Sequence, residues 1–166
     1  MRIAVVVGAL LLAACGTTPA IEVTSADLVD GGEIPVEHTC DGEDAAPRLE
    51  WTLPSGTSTV ILIVDDPDAP GAAFVHWAIG FNGAPTDAGP DLRQDAVLHD
   101  NDFGVAEWRG PCPPESDGPH SYRFRVWAIE DAYDFAPGND ASSLIDAVDE
   151  ATVLAEGQLT ATYERR

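Results

Sequence analysis

No lysine occurs anywhere in the 166 residues; the eight basic side chains are all arginine and stand against 29 acidic ones, for a formal net charge of -21. A chain so poor in cations offers no basic patch for nucleic acid or for an anionic membrane surface, since both are recognised by clustered positive charge. The ordinary meaning of such a balance is a solvated acidic surface, of the kind found in salt-adapted or GC-rich sources. Other absences narrow the chemistry. No CxxC or HxxxH spacing marks a metal site, and neither GxSxG nor HExxH marks a hydrolase. There are no internal repeats, and no apolar run is long enough to cross a bilayer comfortably.

The chain does hold enough apolar residues, 45%, for a globular domain with a real core. Its first segment stands apart from that domain. Met1-Arg2 followed by the apolar Ile3–Leu12 reads as an export signal, and Leu12-Ala13-Ala14-Cys15-Gly16 reads as a bacterial lipobox. The expectation is a signal peptide over 1–14, diacylglycerol attachment and cleavage at Cys15, a tether over 15–20 and one domain over 21–166. The protein would then be exported and anchored to a membrane by lipid; an ordinary secretory signal with a chance cysteine is the alternative. Removing Cys15 leaves Cys40 and Cys112, an even pair in an oxidising compartment, which predicts a disulfide, with two buried thiols as the alternative.

The stretch around which the domain is organised runs from Val60 to Phe81. Val60-Ile61-Leu62-Ile63-Val64 is short, unbroken and β-branched, a buried strand rather than a helix. Asp65-Asp66-Pro67-Asp68-Ala69-Pro70 ends it, since two prolines forbid a regular ladder. A second strand, Val75 to Phe81, opens with His76-Trp77. Elsewhere Ile21–Leu28 and Ile34–Thr39 are candidate strands, and Leu49, Trp51 and Leu53 alternate up to Pro54. Asn82–Gly118 is long and irregular. Tyr122, Phe124, Val126 and Ala128 face one way, with Arg123, Arg125, Trp127 and Ile129 facing the other. Ser143 with Asp146 suggests a capping box for a helix, Gly157 its stop, and Leu159, Ala161 and Tyr163 a last strand. His38, His99 and Asp102 are read as surface residues. The fold class expected is mainly β: an antiparallel β-sandwich with one or two peripheral helices.

Asp66-Pro67-Asp68-Ala69-Pro70, His76-Trp77, Gly110-Pro111-Cys112-Pro113-Pro114 and His120-x-Tyr122, in that order, resemble the phosphatidylethanolamine-binding protein family. Thr39-Cys40-Asp41-Gly42 and Asn101-Asp102-Phe103-Gly104 resemble segments of its bacterial, Raf-kinase-inhibitor-like branch. The resemblance implies a β-sandwich with a small pocket for phosphate-like groups, lined by Asp66, Asp68, His76, His120 and Tyr122 and walled by Pro111 and Pro113. Two departures bear on the pocket mouth: Gly71-Ala72-Ala73-Phe74 replaces a more polar stretch, and Glu115-Ser116-Asp117-Gly118-Pro119 carries extra acid.

The residue types support the same chemistry. Protonated His76 and His120 with the Tyr122 hydroxyl suit a cluster of phosphate oxygens, while Asp66 and Asp68 can fix imidazole tautomers or accept from an ammonium. A zwitterion such as phosphorylethanolamine should then be preferred to simple phosphate, with affinity rising as pH falls through the ordinary imidazole range, about 6.5. The function expected is a non-enzymatic binding or regulatory lipoprotein. Its partners are a phosphate-bearing small molecule or phospholipid headgroup, the membrane through its lipid, and a protease or kinase that it inhibits. No cofactor and no nucleic acid are expected. The alternative is a hydrolase or metal-dependent enzyme using Asp66, Asp68, His76 and His120.

Overall fold

The computed structural model describes residues 18–166; Cys15 and the segment 1–14 lie outside them. Eight strands occur in chain order: β1 (Val23–Thr24), β2 (Leu49–Trp51), β3 (Thr59–Asp66), β4 (Phe74–Phe81), β5 (Asp87–Ala88), β6 (Ala96–Leu98), β7 (His120–Ile129) and β8 (Val153–Tyr163). One helix, α1 (Ser142–Glu150), lies between the last two. The strands form a five-stranded sheet ordered β6-β4-β3-β7-β8 and a three-stranded sheet ordered β1-β2-β5. All their pairings are antiparallel. The chain is a mainly β sandwich, as its strand pattern predicts.

β3 is apolar without alternation because both of its faces are covered. Val60, Leu62 and Val64 enter the core between the sheets, beside Leu49 and Trp51 of the small sheet and Ile79 and Phe81 of β4. Ile61 and Ile63 point outward, against Leu144 and Ala147 of α1 and Trp127 of β7. β7 divides as its sequence alternates: Tyr122, Phe124, Val126 and Ala128 go to the inner core, Trp127 and Ile129 to the outer one. At the end of β3 two consecutive aspartates therefore serve opposite faces. Asp65 turns outward and accepts from Arg123 Nε at 2.9 Å and Arg125 Nη2 at 2.8 Å, while Asp66 turns inward to His120.

Several expectations are corrected. Only Val23–Thr24 of the stretch 21–28 is strand, and Val36–His38 forms a 3-10 turn in place of a strand. Pro35 starts that turn with φ fixed at -58° and has no N–H for a ladder. The Ser143/Asp146 capping box does not form. The Asp140 carboxylate instead accepts the Ser142 N–H at 3.1 Å, the helix starts one residue earlier, and Ile145 is exposed while Leu144 and Ala147 are buried. Gly157 stops no helix; it lies inside β8, where residues 19–21 run alongside, with Ile21 N–H donating to the Glu156 carbonyl at 2.7 Å. A Cβ at Gly157 would overlap the Ile21 carbonyl, so the glycine is there for close approach. His38 and His99 are buried rather than superficial, each with Nδ1 bonded, to the Ala45 carbonyl at 2.8 Å and to Ser143 Oγ at 3.0 Å. Asp102 is exposed as read.

Cys40 and Cys112 are joined in a disulfide across a sequence separation of 72 residues. It fastens the segment after the 3-10 turn to the loop that precedes β7.

Candidate functional site

Antiparallel pairing brings the end of β3 and the starts of β4 and β7 to one end of the sandwich, and with them Asp66, His76, His120 and Tyr122. Simple alternation would not put all four on one face. The register runs from Val64↔Trp77 to Asp65↔Val75, so one residue of β4, His76, is extra. This β-bulge turns Val75 to the outer cluster and leaves His76 beside inward-facing Trp77 and Tyr122. Bulges at strand ends commonly re-aim a side chain in this way. Four polar side chains are thereby gathered almost out of water, at 4% exposure for Asp66 and His76, 5% for His120 and 1% for Tyr122.

Their hydrogen bonds give the two histidines different roles. His120 Nδ1 donates to Asp66 Oδ2 at 2.8 Å, and the other Asp66 oxygen accepts the Asp68 N–H, also at 2.8 Å. Burial works against a charge on His120, but the hydrogen bond and the negative charge of Asp66, helped by Asp117, outweigh it and raise its pKa. His76 Nδ1 donates to the Arg109 carbonyl at 2.6 Å, which leaves Nε2 as the free position of the ring. Burial lowers the pKa of His76, and the Arg109 and Gly110 carbonyls and the Asp66 charge only partly restore it. Sequence alone sets both rings at the ordinary imidazole value; a carboxylate partner for His120, and burial that carbonyl partners only partly offset for His76, drive them apart.

Tyr122 meets the His76 ring edge-on, with centroids 5.3 Å apart. Its hydroxyl is buried beside the Asp66 carboxylate but makes no hydrogen bond of sound geometry. Burial first, then the nearby Asp66 and Asp68 charges, push the phenol far above its ordinary pKa, so it is a permanent O–H donor. A buried donor without an acceptor is costly and uncommon. Phe74 and Phe103 close the other sides of His76, at 5.4 and 5.5 Å between ring centroids.

Asp68 stands apart from the imidazoles. It is exposed, and its Oδ2 accepts the Ser121 N–H at 2.7 Å, so it ties the β3–β4 turn to β7. That bond, more than any charge, lowers its pKa. Pro111 and Pro113 are buried on the segment following Arg109 and Gly110. A cavity of about 340 Å³ is lined by Phe103, Arg109 and Gly110, which wrap His76, and by Cys40 and Cys112. Among the described residues no group of three or more His, Cys, Asp or Glu side chains converges as metal ligands do.

Two positioning residues escaped the sequence reading. Buried Asn101 donates to the carbonyls of His76 at 3.0 Å and Glu107 at 2.9 Å, and its Oδ1 accepts from Phe103 and Val105. Asp44 accepts the Gly110 N–H at 2.7 Å, which secures the strand of loop whose Arg109 carbonyl holds His76. The run Asn101-Asp102-Phe103-Gly104 carries a turn signal in sequence, but nothing in it announces a buried amide.

Comparison with known proteins agrees with this geometry. The family model described as phosphatidylethanolamine-binding protein matches residues 24–164. A UPF0098 protein of Methanothermobacter thermautotrophicus is 40% identical over 145 residues, covering 82% of this chain and 93% of its own. LppC of Mycobacterium tuberculosis, by its name a lipoprotein candidate, is 34% identical over 155 residues, covering 89% and 77%. The solved structure of Escherichia coli YbcL, titled a new member of the mammalian PEBP family, superposes with a TM-score of 0.80 at 31% identity, covering 88% of this chain and 99% of that one. A carboxypeptidase Y inhibitor, solved with its cognate proteinase, shares the fold alone, at TM-score 0.56 and 16% identity. With residues 24–164 matched by the family model and relatives of up to 40% identity covering most of the chain, the chain belongs to the phosphatidylethanolamine-binding protein family.

Proposed function

We propose that the protein is a non-enzymatic binding module, exported and tethered to a membrane through Cys15, whose cluster of Asp66, His76, His120 and Tyr122 holds a small phosphate-bearing group. The observation that carries this reading is the Tyr122 hydroxyl, buried beside Asp66 yet in no hydrogen bond of sound geometry. A ligand oxygen would supply one. The paired histidines define the rest. His120, its charge favoured by Asp66, donates from Nε2 once the exposed Asp117 carboxylate gives up its loose 3.5 Å contact with that nitrogen. Neutral His76 offers a lone pair at Nε2. Two donors and one acceptor suit a singly protonated phosphate monoester, which has anionic oxygens and one P–OH; its second pKa is about 6. An ammonium on the same ligand would face the exposed carboxylates of Asp68 and Asp117, so phosphorylethanolamine should bind better than inorganic phosphate. Pro111 and Pro113 wall the mouth.

Calorimetric titration of both ligands from pH 5 to 8 tests this. Tyr122→Phe should weaken phosphorylethanolamine binding by about 1.5–3 kcal/mol, the range for a hydrogen bond to a charged group. It should also leave the free protein as stable or more so, because it removes an unsatisfied hydroxyl. Affinity should be highest near pH 5–6, where the ligand keeps its P–OH, and fall towards pH 8 as that proton is lost and the His76 lone pair loses its partner. Binding indifferent to Tyr122→Phe and His120→Gln places the ligand elsewhere. Membrane attachment is read separately: Cys15→Ser should release the protein from membranes or block its maturation. Inhibition of a protease or kinase is the regulatory form of this reading, and loss of inhibition on Tyr122→Phe would tie it to the same cluster.

A further inference from the structure

Among the described residues almost every arginine is matched or outnumbered by carboxylates. Arg48 pairs with Asp27, Arg93 with Asp95, Arg166 with Glu164, Arg109 with both Asp44 and Glu107, and Arg165 with both Asp41 and Glu115. The exception is on the outward face of β7, where Arg123 and Arg125 share the single carboxylate of Asp65. Asp65 takes Nε and Nη2 of Arg123 but only Nη2 of Arg125. Arg125 Nε is buried with no acceptor, and its guanidinium lies over the Trp127 ring, 4.8 Å from the centroid. These side chains line a surface cavity of about 520 Å³ whose rim includes Glu156 and Gln158. This face is distinct from the Tyr122 site, which lies on the inner side of the same sheet.

The remaining wall of the cavity is Ala20 and Ile21, where the tether joins the domain. Cys15 is five residues before Ala20, and five residues span at most about 18 Å. An acyl anchor on Cys15 therefore holds this cavity close to the lipid headgroups. The net charge of the whole chain, -21, would repel a membrane approached from solution, but a tether replaces attraction at a distance with a high local concentration. Arginine forks match phosphate geometry.

We propose that the Arg123–Arg125 cavity is the surface the domain lays on its own membrane, with the guanidinium groups taking the phosphodiester of a phospholipid headgroup just above Trp127, whose ring is 8% exposed beneath Arg125. The proposal rests on the Cys15 anchor, and is independent of what the Tyr122 site binds.

The test uses the full-length protein, taken from bacterial membranes into nanodiscs of phosphatidylcholine containing a headgroup nitroxide lipid. Trp127 quenching is the difference between the wild type and Trp127→Phe. It should fall several-fold in Arg123→Gln/Arg125→Gln and stay unchanged in Tyr122→Phe. Should the double variant not fold with Asp65 left unpaired, Gln158→Glu sets a carboxylate on β8 opposite Arg125 while leaving both arginines and Asp65 in place, and should reduce the quenching likewise. Mass spectrometry of the N-terminal peptide reads the anchor. An acylated chain whose Trp127 is unquenched, or quenched alike in all variants, overturns this proposal alone; an unacylated Cys15 overturns it together with the anchor.

Discussion

Replacing Asp66 by asparagine should reverse the charge preference of His120. In the native protein the carboxylate is bonded on both oxygens, to His120 Nδ1 and to the Asp68 N–H, each at 2.8 Å. Asparagine can keep the second bond through its oxygen. Its amide then points N–H groups at Nδ1, so His120 must become an acceptor there. What remains is a buried imidazole without its counter-charge, and burial, until now outweighed, should carry its pKa below the ordinary value. A buried, charge-assisted hydrogen bond contributes about 1.5–3 kcal/mol, and breaking one side of a buried ion pair costs about 3–5 kcal/mol. Because asparagine removes the charge and preserves the turn, the expected loss is about 2–4 kcal/mol. The loss should depend on pH in a definite direction. A raised histidine pKa contributes stability that is fully present below the unfolded value, about 6.5, and is lost as pH rises through the folded one. The gap between wild type and Asp66→Asn should therefore be widest near pH 5–6 and narrow in alkali. Urea denaturation across pH measures the gap, and NMR titration of the His120 ring follows its protonation. An unmoved His120 midpoint, or a gap that widens in alkali, would refute the assignment of Asp66 as its controlling partner.

Three further outcomes follow from the fold. Gly157→Ala drives a Cβ into the Ile21 carbonyl and should cost about 1–3 kcal/mol, with amide exchange at Ile21 and Glu156 accelerated; protection unchanged there would mean that residues 19–21 are not held against β8 as described. Replacing Cys40 and Cys112 by serine opens a loop spanning 72 residues, for which chain entropy suggests a loss of about 4 kcal/mol; thiol titration of the native chain should find the pair unreactive until reduced. His76 and His99 both have pKa values lowered by burial, so each resists a proton that the unfolded chain accepts, and each should subtract stability as pH drops below about 6.5. Replacing His99 by glutamine should flatten that acid limb of the stability profile, and an unaltered limb would count against its burial.

Four strands of the large sheet were legible in the sequence and their contacts explain why, whereas β6 (Ala96–Leu98) lies in the stretch 82–118 read as irregular. β3 is apolar throughout because it is covered on both faces, β7 alternates because its two faces meet different clusters, and β8 shows its inner residues at Leu159, Ala161 and Tyr163. Side chains of the site could be named because motif spacing survives without geometry. What sequence could not supply was one residue of slip: period-two alternation puts His76 on the wrong face, and only the pairing register reveals the bulge. The same blindness to tertiary packing made Gly157 look like a helix stop, since a glycine needed for close approach has the same letter as one needed for a turn. Val36–His38 is β-rich in composition, yet Pro35 and a backbone bond from His38 N–H to the Pro35 carbonyl fold it into a turn. Buried His38 and His99 look like surface residues because their partners, Ala45 and Ser143, are carbonyl and hydroxyl groups that no histidine motif advertises.

Asp65 and Asp66 are adjacent in β3 yet answer to different surfaces, one to Arg123 and Arg125 outside, the other to His120 inside. A single peptide unit joins the two arrangements, in a strand packed too tightly on both faces to absorb a local shift. A ligand that re-aims one carboxylate by moving its backbone therefore turns the peptide that carries the other. Occupancy outside and occupancy inside would be thermodynamically linked, each changing the other's affinity by the same factor. The membrane would then act as an effector of the inner pocket, and comparing phosphorylethanolamine affinity with and without nanodiscs gives the factor. A factor of one would show the peptide to be rigid enough to insulate the two faces.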